Sequence, residues 1–164
     1  SETSEMGTQA SALFEALKRS GRNFVTILPN NDPGFKEIWK VINALPKNQF
    51  RVIPSMRFAY FSELMKNSSA IVGNSSAGVR EAPFLGIPSL DIGSRQRSRS
   101  AAASITNCPP YDTEKILNFL RNSWGNYYSR DESFGTGKTA EKFLKILNSS
   151  AFWENNIQKI FNDC

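Results

Sequence analysis

The sequence predicts a doubly wound α/β domain with a parallel, Rossmann-like sheet. Short apolar, β-branched runs alternate with stretches of helical period, which implies right-handed crossovers and a sheet covered on both faces. Small polar residues gather where each run ends, while the runs themselves are apolar. No repeat or low-complexity tract interrupts the pattern, and 164 residues suffice for one domain with its own core. The expectation is a single domain over 1–164.

The elements follow in order. Thr8 to Ser20 reads as a helix, with Ala12, Leu13, Ala16 and Leu17 on one face and Gly21 as its stop. Phe24-Val25-Thr26-Ile27-Leu28, ended by Pro29, has the profile of a buried strand. Asp32-Pro33 is expected to cap the next helix, with Pro at its first position and Ile38, Trp39, Ile42 and Leu45 turned inward. A second strand fits Phe50 to Ile53. Arg57 to Asn67 gives a helix with Phe58, Phe61, Leu64 and Met65 on one stripe. Ala70-Ile71-Val72 is a third strand, followed by a short helix from Ser76 to about Leu85.

Pro88 to Ile92 makes a fourth strand and Ser104 to Cys108 a short fifth one. Asp112 to Trp124 is strongly amphipathic through Ile116, Leu117, Phe119 and Leu120. Two further helices fit Thr136 to Leu147 and Phe152 to Asn162. On the last, Trp153, Ile157, Ile160 and Phe161 share a face, and either pack on this domain or form an exposed stripe that invites dimerisation.

Composition narrows the function classes. Hydrophobic residues make up 40% and charged residues 21%, as in a globular protein. No apolar run approaches the length of a membrane span. The chain opens on Ser1-Glu2-Thr3-Ser4-Glu5, without an initiator Met, a basic start or an apolar core. It is therefore expected to be a piece of a longer, cytoplasmic protein. Two cysteines, Cys108 and Cys164, have no metal-ligand spacing, and no metal or cofactor is expected. Histidine is absent, which removes the usual general base from these residues. A formal charge of +5 suits an anionic partner; without aromatic–basic interleaving, a phosphorylated small molecule fits better than nucleic acid.

Ligands of doubly wound sheets sit beyond the carboxyl ends of the strands. The segment Gly73-Asn74-Ser75-Ser76-Ala77-Gly78 joins a strand to a helix with small residues alone. Amides at a helix start lack internal partners and carry the positive end of the dipole, so a phosphate can approach them there. Glu81, one turn further, is placed to accept hydrogen bonds from two ribose hydroxyls. The same residues also fit an ordinary capped helix, with Ser75 or Ser76 as N-cap. In Gly93-Ser94-Arg95-Gln96-Arg97-Ser98-Arg99, one arginine can hold a phosphate, or all can be solvated surface. Asn30 and Asp32 read equally as an Asx turn and a cap. Gly135-Thr136-Gly137-Lys138-Thr139 reads as a turn and helix start rather than a P-loop, since Glu132 stands where the first glycine belongs and no strand precedes it, although its amides could form a second anion-facing loop beside the cleft.

Three of these strings carry a family resemblance. Gly-Asn-Ser-Ser-Ala-Gly-Val-Arg-Glu from Gly73 to Glu81, Phe84-Leu85-Gly86-Ile87-Pro88, and Gly93-Ser94-Arg95-Gln96 resemble the hydrolysing UDP-N-acetylglucosamine 2-epimerases. Leu28-Pro29-Asn30-Asn31-Asp32-Pro33-Gly34 and Phe134-Gly135-Thr136-Gly137 look like segments of the same family. The resemblance implies the C-terminal half of a two-domain GT-B architecture, with residues 151–164 crossing to an N-terminal domain. It implies that Ser75, Ser76, Ala77 and Gly78 meet the diphosphate of a UDP-sugar and Glu81 the ribose. Asn30 and Arg95 would lie near the phosphates and sugar, and Met56 and Phe61 would line the uracil pocket.

The implied reaction eliminates UDP across C1–C2 and hydrates the glycal, giving N-acetylmannosamine for sialic-acid-type synthesis. The family's histidine, in a strand leading into the domain, and its proton-moving carboxylates lie outside these residues, so no catalytic residue is assigned here. Ser98 and Ser100 depart from the Gly and Glu usual in the family. A GT-B glycosyltransferase donor domain and a non-catalytic UDP-sugar-binding module are the alternatives.

Overall fold

The structure is a computed structural model and describes residues 2–31 and 33–154. Contacts divide the chain into two compact units, Ser1–Asp131 and Glu132–Cys164. In the first unit the order is α1 (Glu2–Arg19), β1 (Phe24–Ile27), α2 (Phe35–Asn43), β2 (Phe50–Ile53), α3 (Phe58–Lys66), β3 (Ile71–Gly73), α4 (Ala77–Phe84), β4 (Ser89–Ile92), β5 (Ile105–Cys108) and α5 (Thr113–Asn122). The second contains α6 (Thr139–Leu147) and α7 (Ser150–Trp153). All strand pairs are parallel, so the fold is α/β as the alternation demanded.

One feature differs from a single continuous sheet. The strands form two: β1 pairs with β2, and β3-β4-β5 form a separate three-stranded sheet. Both lie under common helices. Phe14, Ala16 and Leu17 of α1, Ile42 of α2 and Ile116, Phe119 and Leu120 of α5 join Phe50, Leu90, Ile92 and Cys108 in one core. Ring packing ties it together, with Phe50 edge-on to Phe14 at 5.9 Å and stacked on Phe24 at 5.3 Å. A smaller cluster of Met65, Ala77, Ala82 and Ile87 unites α3 with α4.

The departures from the expected elements have local causes. α2 begins at Phe35 behind Gly34, whose φ of 89° breaks the helix, so Pro33 lies outside it and no side chain caps it. Asp32 falls outside the described residues. Trp39 is 47% exposed and Phe58 68%, although both were expected inward; neither belongs to either core cluster. β1 is not fully buried, since Val25 is exposed, whereas all four residues of β4 are buried. Helix α6 starts only at Thr139, after the positive-φ glycines Gly135 and Gly137. Trp153 is exposed, and Ile157, Ile160 and Phe161 lie outside the described residues. No helix among the described residues is long and apolar enough to cross a membrane.

Candidate functional site

β3 delivers the chain to the carboxyl edge of the three-stranded sheet, where Gly73 takes a φ of 146° and turns it away. A Cβ on Gly73 would meet nothing within 4 Å, so the strand end is open. The first turn of α4 is then built by Ser75: its carbonyl accepts the Gly78 amide at 3.0 Å and its hydroxyl the Ala77 amide at 3.3 Å. Ser76 precedes the helix and its carbonyl accepts the amides of Val79 and Arg80. The amides of Asn74, Ser75 and Ser76 take no hydrogen bond among the described residues. Asn74 and Ser75 are exposed and Ser76 is half-buried. These outward amides are the ones an anion can reach.

Ala77 and Gly78 serve differently from Ser75 and Ser76. Both are buried, and a Cβ on Gly78 would lie 2.7 Å from the Ser89 hydroxyl of β4. Their smallness lets α4 press onto the sheet, and their amides are already engaged by Ser75. Close packing thus explains small residues that the sequence alone suggested were left small for a ligand.

Glu81 sits on the next turn, half-buried, with Oε2 shut from solvent and without a hydrogen-bond partner among the described residues. A buried acceptor left unpaired costs about 1–3 kcal/mol, a cost that a donor reaching this carboxylate would relieve. Asp91 of β4 is 2% exposed, and neither carboxylate oxygen has a partner among the described residues. It alternates with Leu90 and Ile92 and so shares the face of Ser89, the face that α4 covers. Burial pushes its pKa upward.

The loop after β4 reaches back to the turn. Gln96 is 3% exposed; its amide donates to the Asn74 carbonyl at 3.1 Å and its carbonyl accepts from Arg99 at 3.0 Å. Gln96 therefore fixes the backbone just ahead of Ser75. Sequence reasoning quoted Gln96 within a motif but gave it no role; a single amide between arginines carries no pattern of its own. Arg95 lies in the same loop, exposed. Asn30 is exposed in the loop after β1. Met56 is half-buried in the loop after β2. Phe61 packs against the cluster around Met65, whereas Phe58 and Tyr60 on the same helix are exposed.

Proton chemistry finds little support in these residues. Cys108 is buried, its thiol 3.3 Å from the Pro109 carbonyl; burial and then the nearby Asp112 push its pKa up, while Lys115 opposes them. A thiol so held is a poor nucleophile. Among the described residues no group of three or more His, Cys, Asp or Glu is disposed to hold a metal.

Comparisons with known proteins converge on one family. The family model described as UDP-N-acetylglucosamine 2-epimerase matches residues 1–148. The UDP-N-acetylglucosamine 2-epimerase of Neisseria meningitidis is 37% identical over 96% of this chain, which covers 43% of that relative. A polysialic acid biosynthesis protein of Escherichia coli is 25% identical over 89% of the chain and 41% of its own length. The UDP-N,N'-diacetylbacillosamine 2-epimerase (hydrolyzing) of Legionella pneumophila is 26% identical over 90% of the chain and 40% of its own. The chain thus spans less than half the length of these relatives.

Proposed function

The chain belongs to the UDP-N-acetylglucosamine 2-epimerase family, and from that premise we propose that it is the UDP-holding part of a hydrolysing epimerase of GT-B architecture. The observation that carries the reading is the pairing of outward amides at Asn74, Ser75 and Ser76 with the unpartnered Glu81 oxygen one turn away. A diphosphate takes the amides and the Ser75 and Ser76 hydroxyls; the ribose hydroxyls donate to Glu81. Ala77 and Gly78 hold the helix start behind the phosphates. Arg95 and Asn30 add charge and hydrogen bonds at the sugar end, and Met56 and Phe61 stand at the base.

In the reaction this region holds the leaving group. As the C1–O bond breaks, negative charge grows on the diphosphate, and preorganised donors aimed at it are worth roughly 2.7–4 kcal/mol each in other enzymes. Elimination of UDP leaves a 2-acetamidoglucal, and water added across it gives N-acetylmannosamine. Removal of the C2 proton falls to groups of an N-terminal domain. The hydrolysing branch is supported by the names of relatives such as the Legionella enzyme, and a sialic-acid-type role by the polysialic acid relative.

The test is calorimetric titration of the 164-residue chain with UDP, followed by an assay for free UDP from UDP-N-acetylglucosamine. Saturable binding without turnover is expected. Turnover by these residues alone, or failure to bind UDP at millimolar concentration, would overturn the proposal.

A further inference from the structure

We propose that the cavity between the ends of α1 and α5 is a second anion site, which takes the phosphate group of a small molecule and is separate from the Gly73 turn. Arg19, Ser20, Arg22, Leu117, Leu120 and Arg121 line a cavity of about 230 Å³. Three arginines thus border one small space. Drawing like charges together costs energy that a bound anion relieves.

Arg22 is the fixed member of the three. Its amide donates to the Ser20 hydroxyl at 3.3 Å, and its carbonyl accepts from the Gln49 side chain at 2.8 Å. At the far end Nε donates to the Leu120 carbonyl at 3.1 Å. The guanidinium carbon stands 4.6 Å from the centre of the Trp124 ring. Backbone and head are both held, and the residue is half-buried. With Nε engaged, the two terminal nitrogens remain as donors, and neither has an acceptor among the described residues.

Helix ends account for only part of this charge. Lys18 and Arg19 stand in the last turn of α1 and Arg121 in that of α5, where cations are favourable. Lys18 is already paired with Glu15, and Arg22 already serves the end of α5 at Leu120. Arg19 meets only Glu114, at 4.0 Å between side chains that are both exposed, which makes a weak pair. Arg121 is exposed and has no ion pair among the described residues. Three guanidinium charges against one carboxylate leave two positive charges, the complement of a dianion. A phosphate monoester carries about that charge near neutral pH, and its oxygens match guanidinium forks. Leu117 and Leu120 complete the cavity with an apolar wall.

The cavity lies at the amino ends of the strands. Arg22 closely precedes Phe24, the first residue of β1, and Trp124 packs edge-on against Phe24 at 5.7 Å. Gly125 then donates to Ser69, just ahead of β3, at 2.9 Å. The Gly73 turn leaves the carboxyl end of β3, so the two sites occupy opposite ends of the strands.

An NMR titration of the 164-residue chain with inorganic phosphate tests the site, with ionic strength held constant by sodium chloride. The signals followed are the Arg22 Nε–H and the Trp124 indole N–H. Both should shift saturably, with a Kd on the order of 1 mM or tighter. Arg19→Gln and Arg121→Gln change exposed side chains outside the core, and each should weaken binding roughly 5-fold or more. Glu114→Gln removes the competing carboxylate and should tighten binding roughly 2–5-fold. Shifts that grow linearly with phosphate, or that both arginine variants leave unchanged, would overturn the proposal. So would succinate, a dianion of different shape, binding as tightly as phosphate. Phosphate reaching the Gly73 turn shifts Asn74, Ser75 and Ser76 instead, so the outcome is independent of the proposed function.

Discussion

Two glycine-rich turns precede helices in this chain, and only one is built as a receptor. Gly73-Asn74-Ser75-Ser76 leaves a half-buried strand paired to the buried β4, enters a helix with five buried residues, and is pinned from the next loop by Gln96. Gly135-Thr136-Gly137-Lys138 leaves an irregular segment and enters α6, none of whose residues is buried. Both have positive-φ glycines and small residues. What separates them is support: amides held by a sheet and a buried side chain keep their direction, while those of an exposed turn reorient at little cost.

The largest expected effect that sharpens this contrast is on Glu81. Glu81→Ala removes a carboxylate acceptor worth about 1.5–3 kcal/mol, so UDP affinity should fall roughly 10–100-fold by calorimetry with folding retained. Unchanged affinity would make Glu81 a structural residue. Gly78→Val comes next: its side chain would run into Ser89 at a 2.7 Å approach, and overpacking costs about 1–3 kcal/mol in chemical denaturation.

Asp91→Asn tests the buried carboxylate under α4. Burial raises the pKa of folded Asp91 above 3.8, so the folded state holds its proton more tightly than the unfolded chain. Asp91 therefore reduces stability as pH rises from 3.8 through its folded value, and the loss persists above that. The variant should be more stable at pH 7 in chemical denaturation, and the gain should vanish below pH 3.8. A gain independent of pH would contradict this cause.

Gln96→Ala releases the Asn74 carbonyl, and a lost hydrogen bond of about 0.5–1.5 kcal/mol predicts UDP binding weaker by roughly 2–10-fold. The smallest effect belongs to the other turn. Gly137→Ala, at a φ of 83° with open space around it, should cost about 1 kcal/mol locally and leave UDP affinity unchanged.

Much of this was legible in the sequence, for physical reasons. Periodicity located every strand within a residue or two, because β4 and the apolar face of α5 are dictated by burial. It failed at Trp39 and Phe58, apolar residues at helical spacing that stay exposed outside both core clusters. The turn at Gly73 was visible because strand, small residues and acid occur in one run. Gln96 was not, since its role lies in a hydrogen bond across 22 residues of sequence. Nor was the division into two sheets, since strand runs reveal neighbours along the chain rather than across the sheet. Gly78 carries the same lesson in reverse: a pattern suited to a phosphate is satisfied by a packed hydroxyl.

The central claim is that the Gly73 turn, and not its glycine-rich counterpart, receives the diphosphate. Backbone amide shifts followed by NMR during UDP addition test it most directly. The account predicts saturable shifts at Asn74, Ser75, Ser76 and Glu81, with Gly135 to Lys138 unmoved. Shifts confined to Gly135–Lys138, or none at either turn, would contradict it.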